Sequence, residues 1–131
     1  MIALDTSAIV AIAMREAEEE EFNRQIVLNQ ALVGTPTLFE ARLVLTNKMP
    51  AFAEAFMSRF VLPHLLHPVA FSLQMHEAAS VAYERFGKGR GHPAQLNFGD
   101  CMAYAVARVH NVPLLYKGTD FSLTDIRSAL P

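Results

Sequence analysis

Apolar positions along this chain switch repeatedly between short continuous runs and helical spacing. Ile2-Ala3-Leu4 is an apolar run that stops at Asp5-Thr6-Ser7, and Ala8 to Met14 then carries helix-forming residues. This predicts a strand that runs straight into a helix, with Asp5 at the strand's C-terminal end. A second helix is expected over residues 17–30, with Phe22, Ile26 and Leu28 inward and glutamates in its first turns, where the helix dipole favours them. Ala31-Leu32-Val33 reads as a buried strand, and Gly34-Thr35-Pro36 turns into a helix over residues 37–47, with Pro36 at or before its first turn. Phe52, Phe56, Met57 and Phe60 recur at three- and four-residue spacing in a helix expected over residues 50–62, which Pro63 ends. A third strand is placed at residues 67–71, a helix at 72–86, a mobile Gly/basic loop at 87–93, a long helix at 97–110 and a fourth strand at 112–116.

Uniformly apolar short strands, each followed by a helix, predict a parallel sheet covered on both faces: an α/β fold of three layers, α/β/α. In such folds the site lies beyond the carboxyl ends of the strands. The length of 131 residues suits one domain, expected to span 1–131.

Composition narrows the class. With 52% hydrophobic and 18% charged residues the chain is too apolar for disorder. A single cysteine excludes an internal disulfide and points to the cytoplasm. Apolar runs such as Ala8 to Met14 fall far short of the ~20 residues of a membrane span. No Lys or Arg precedes that run, so no signal peptide is expected. The net charge of -2 alone argues against nucleic acid, but Glu16, Glu18, Glu19, Glu20 and Glu21 supply five of the 13 acidic residues. The remaining eight face 11 Lys and Arg, so the rest of the molecule is mildly basic.

Four acids fall where a site would form: Asp5 after the first strand, Glu40 early in the helix after the second, Asp100 at the start of the last long helix, and Asp120 just after the fourth strand. Each could be a cap or a favourable dipole partner. Together, converging carboxylates would repel one another and raise their pKa values unless a cation neutralised them. Ligands that are all oxygen select a hard ion, Mg²⁺ or Mn²⁺, which keeps several waters and binds substrate phosphates.

The order and spacing of Ile-Ala-Leu-Asp5-Thr6-Ser7-Ala-Ile, Asn97-Phe98-Gly99-Asp100-Cys101-Met102-Ala103-Tyr104-Ala105 and Leu114-Leu115-Tyr116-Lys117-Gly118-Thr119-Asp120-Phe121 resemble the PIN domain, the nuclease fold of VapC-type toxins. The resemblance implies a PIN-like sandwich around a short parallel sheet of four to five strands. It implies an Mg²⁺-dependent endoribonuclease, Mn²⁺ also serving, that leaves a 5′-phosphate and a 3′-hydroxyl, and it implies the toxin of a toxin–antitoxin pair. Asp5, Glu40, Asp100 and Asp120 match the family's four acidic positions: Asp5 and Asp100 as principal metal ligands, Asp120 as a second ligand, Glu40 as ligand or water-orienting base. Thr6 or Ser7 would support a ligand carboxylate or a phosphate. The loop residues Lys88, Arg90 and His92 are candidate RNA contacts, with Arg85 just before them. The apolar stripe Met49, Phe52, Phe56, Met57 and Phe60, with the resemblance, implies a homodimer and a groove for the antitoxin.

Two rival readings differ in kind. A haloacid-dehalogenase-like phosphatase also places an Asp after its first strand but needs a second Asp two residues on, where this chain has Ser7. A non-catalytic PIN-like module that binds RNA or protein would not need all four acids. His64 and His67 lack the further ligands of a zinc site, Cys101 has no evident base, and the glycines at 87, 89 and 91 do not form a phosphate loop of the Walker kind.

Overall fold

The computed structural model describes residues 1–131. Its elements are β1 (Ile2–Leu4), α1 (Thr6–Ala13), α2 (Glu19–Asn29), β2 (Ala31–Gly34), α3 (Thr35–Lys48), α4 (Ala53–Phe60), β3 (Leu66–Val69), α5 (Leu73–Phe86), α6 (Phe98–His110) and β4 (Leu114–Leu115), followed by a 3₁₀ turn at Phe121–Leu123. All strand pairs are parallel, in the order β3-β2-β1-β4.

Because side chains alternate across a strand, the three residues of β1 feed two cores. Ile2 and Leu4 join Ala31, Val33 and Leu115 beneath α1 to α4. Ala3 joins Leu32 and Leu114 beneath α5 and α6. The expected three layers are therefore present, with β1 buried on both sides.

β2 and β3 continue on one side of β1, whereas β4 lies on the other. The direction of winding reverses between β1 and β4, and in parallel α/β sheets such a reversal is where sites form, beyond the strands' carboxyl ends. Asp5 and the segment 117–120 emerge into this region. The C-terminal tail covers the outer edge of β4: Leu114 N–H donates to Arg127 O at 2.8 Å and Ala129 N–H to Leu114 O at 2.9 Å. This single bridge occupies the place of a fifth strand.

The predicted elements are all present, with corrections. The stripe helix spans only Ala53–Phe60, because Phe52 and Val61 fall outside it, so it ends before Pro63. The third strand begins one residue earlier than expected and the fourth is confined to two residues. Leu28 is 65% exposed; Gln25 takes the inward position and bonds Glu21 and Asn29. Two glutamates of the acidic run, Glu16 and Glu18, pair with Lys117 at 3.1 and 3.4 Å.

A polar tie, buried only at Tyr104, joins α5, α6 and the tail. The Tyr104 hydroxyl donates to Asp125 Oδ1 at 2.6 Å, and Arg85 donates to Asp125 Oδ2 at 3.1 Å while lying over the Phe86 ring. Arg85, grouped with the basic loop by its place in the sequence, is thus committed to the tail. Tyr104 is buried, so Asp125→Ala would strand its hydroxyl and is expected to cost about 1–3 kcal/mol in chemical denaturation. A loss well below 1 kcal/mol would show that water replaces the carboxylate.

Candidate active site

Asp5 closes β1 and caps α1 in one step. Its N–H donates to Leu115 O at 3.0 Å, and its Oδ2 accepts from Ser7 N at 3.0 Å and Ser7 Oγ at 2.6 Å. An extended backbone at Asp5 lets the side chain turn back on the first helical turn, which is why a capping residue stands there. Ser7 Oγ in turn accepts from Lys117 N at 2.9 Å, tying the segment after β4 to the start of α1. Asp5 is only 4% exposed, and its other oxygen, Oδ1, is buried without a hydrogen-bond partner.

Asp100 stands in the first turn of α6. Its Oδ2 accepts from Asn97 N at 3.0 Å, and Asn97 Oδ1 accepts from Asp100 N at 2.8 Å. This reciprocal cap fixes the carboxyl at the helix entrance. Glu40 lies on the second turn of α3, where its Oε1 accepts from Thr6 Oγ1. The two hydroxyls beside Asp5 therefore serve different acids, Ser7 holding Asp5 and Thr6 holding Glu40. Asp120 is exposed at the entrance to the 3₁₀ turn.

The four acids sense one another. Burial, partly offset by the Ser7 hydrogen bonds, lifts the Asp5 carboxyl to about 6, and the charges of Asp100 and Glu40 add to the rise. Burial also raises Asp100, the bond from Asn97 opposing it and the charges of Asp120 and Glu40 reinforcing it. No three His, Cys, Asp or Glu side chains are drawn into a closed ligand set. That is compatible with a hard ion such as Mg²⁺, which is held by one or two carboxylates and keeps waters and substrate oxygens as its other ligands.

Beside the acids lies a cavity of about 230 Å³, lined by Glu40, Gly99, Phe39, Phe98, Leu43 and Met102. The loop at 87–93 is pinned at both ends by Lys88 N–H to Leu96 O and Leu96 N–H to Phe86 O, each at 2.9 Å. Lys88 and Arg90 are exposed on it. His92 is turned inward: its ring meets Phe86 edge-on at 4.9 Å and its Nδ1 accepts from Ala94 N. His67 bonds Gln30 at 2.8 Å, and burial raises the Cys101 thiol to about 11, which leaves it unreactive near neutral pH.

Sequence reasoning did not anticipate Asn97 as the residue that holds Asp100, although Asn97-x-x-Asp100 is a capping-box spacing and could have been read. The pairing of Asp125 with Tyr104 had no local signal.

A profile of the PIN domain matches residues 2–126. The chain belongs to the PIN-domain family. Among its relatives, ribonuclease VapC30 of Mycobacterium tuberculosis is 35% identical over 132 positions, which cover 99% of this chain and 100% of the relative. Of solved structures, Mycobacterium tuberculosis VapC20, a sarcin-ricin loop cleaving toxin, matches with a TM-score of 0.77 at 17% identity over 96% of each chain. A toxin–antitoxin complex from Klebsiella pneumoniae contains a chain that matches with a TM-score of 0.66 at 16% identity, over 93% of this chain and 91% of that one. At those identities the structural likeness speaks for the fold.

Proposed function

We propose that this protein is a divalent-metal-dependent endoribonuclease and the toxin of a toxin–antitoxin pair, acting in the cytoplasm. The observation that carries this reading is the buried carboxylate of Asp5, one oxygen of which has no partner, set at the winding reversal among three further acids. A buried charge without a partner is costly, and a cation is the partner that an all-carboxylate set selects. Asp5 and Asp100 would hold Mg²⁺ or Mn²⁺ directly, Asp120 would approach from the more exposed side, and Glu40 would bind or orient a water. When bound, the ion acidifies a coordinated water and stabilises charge on the phosphate oxygens. Ser7 keeps the Asp5 carboxyl aimed by two hydrogen bonds, Thr6 does the same for Glu40, and Asn97 for Asp100.

The relatives named ribonucleases supply the substrate class, and the Klebsiella complex supports an antitoxin partner. Met57 of the apolar stripe is buried in the protein's own core, but Phe52 stays 64% exposed. Phe56 and Arg59 stand between two clefts of about 290 and 510 Å³ that flank α4. This is where an antitoxin segment would lie; a homodimer is kept as part of the same reading, to be judged by light scattering. Purified protein incubated with cellular RNA and Mg²⁺ should produce discrete fragments, and its expression alone should arrest growth. Intact RNA under all conditions would refute the enzymatic reading.

Lys88 and Arg90 are assigned to the RNA backbone, with His92 shaping the loop that carries them. Lys88→Ala/Arg90→Ala is expected to weaken RNA binding and to flatten the slope of log affinity against log salt by roughly 0.7 for each phosphate no longer neutralised. Binding titrations at several salt concentrations check this; an unchanged slope would return the loop to ordinary solvated surface.

A further inference from the structure

Gly99 is a glycine that its backbone does not require. It is the second residue of α6 and has no positive φ, so alanine would be the better helix former there. What bars a side chain is Glu40. A Cβ at position 99 would fall 2.1 Å from Glu40 Oε2 and 2.5 Å from both its Cδ and Oε1. The whole carboxylate occupies the place that any other residue's Cβ would take. Thr6 Oγ1, on α1, donates to Oε1 of the same group. Glu40 reaches from α3, so its carboxylate is confined by two other helices.

We infer that Gly99 is a positioning residue, its missing side chain leaving the seat in which the Glu40 carboxylate, held from α1 by Thr6, lies against α6 beside Asp5 and Asp100. The inference rests on the metal-dependent reading above and adds to it a residue that bears no charge. The atoms that a methyl at position 99 would displace are the far end of a flexible side chain, not backbone, so the fold accommodates the change while the carboxylate leaves its seat.

The test is Gly99→Ala, studied first without RNA. Calorimetric titration with Mn²⁺ should show about a tenfold loss of affinity, the scale on which supporting residues tune a metal site. The melting temperature of the metal-free protein should stay close to that of wild type. RNA cleavage should fall in kcat with KM little changed. Glu40→Asp draws the carboxylate back from the new methyl, so the loss in Gly99→Ala/Glu40→Asp should be smaller than the product of the two single losses. Wild-type Mn²⁺ affinity in a folded Gly99→Ala protein, or strictly multiplicative losses, would overturn the seat. If wild type itself binds no Mn²⁺, the metal-dependent reading fails instead. The seat is then decided by the ¹³C resonance of the Glu40 carboxyl, which must move between wild type and Gly99→Ala if the inference holds and stay in place if it does not.

Discussion

Asp5→Asn and Asp100→Asn should each reduce RNA cleavage by about 10²–10³-fold or more while leaving a folded protein. Electrostatic stabilisation of charge that develops on phosphate oxygens is commonly worth that much, and either change removes a charge from the set that would hold the ion. Folding should survive because asparagine preserves the local bonds. An amide oxygen at position 5 can still accept from Ser7 N and Oγ, and one at position 100 can still accept from Asn97 N. Near-wild-type cleavage by both variants would remove these carboxylates from the reaction. Asp120→Asn should cost less, since Asp120 is exposed and reaches the cluster from its edge.

The same Asp5 substitution should have the opposite sign on the stability of the metal-free protein. Folding raises the Asp5 carboxyl from its ordinary 3.8 to about 6, with burial as the main cause. Below about pH 3.8 the group is protonated in both states and costs nothing. Between 3.8 and 6 the folded protein keeps a proton that the unfolded chain has lost, and stability declines as pH rises through that window. Above about 6 both states are ionised and the folded state bears the full penalty, about 3 kcal/mol from the size of the shift. Asparagine carries no such charge. The unfolding free energy of Asp5→Asn minus that of wild type, measured with EDTA, should therefore rise by about 2 kcal/mol between pH 4 and pH 7. Any cost of burying the amide is independent of pH and cancels from that change. A difference that stays flat across the window would show that the Asp5 charge is already compensated without metal.

Much of this architecture could be read from the chain because its signals are local. The run Ile2-Ala3-Leu4 stops at a capping residue, so the strand, the helix and the position of Asp5 at their junction follow from adjacent residues. The parallel arrangement followed from strands that are apolar on both faces, and the two cores that meet at β1 show why they must be. Element ends were less legible. Phe52 and Val61 continue the apolar period of α4 but only cap its two ends, and β4 is short because Tyr116 leads into the segment bound to Ser7. Pairings between distant elements were not legible at all. The Thr6–Glu40 bond links residues 34 apart, and Asp125 meets Tyr104 only when the tail folds back over α6. Lys117 stands after β4, where a phosphate ligand would be sought, but the fold pairs its ammonium with Glu16 and Glu18.

Whether the carboxylates act through a divalent cation to hydrolyse RNA is decided by the end chemistry of the products. Cleavage of a defined RNA should cease in EDTA, return on adding Mg²⁺ or Mn²⁺, and leave 5′-phosphate and 3′-hydroxyl ends, because a metal-activated water attacks the phosphate. Undiminished cleavage in EDTA with 2′,3′-cyclic phosphate ends would mean that the RNA's own 2′-hydroxyl is the nucleophile, and would contradict the account.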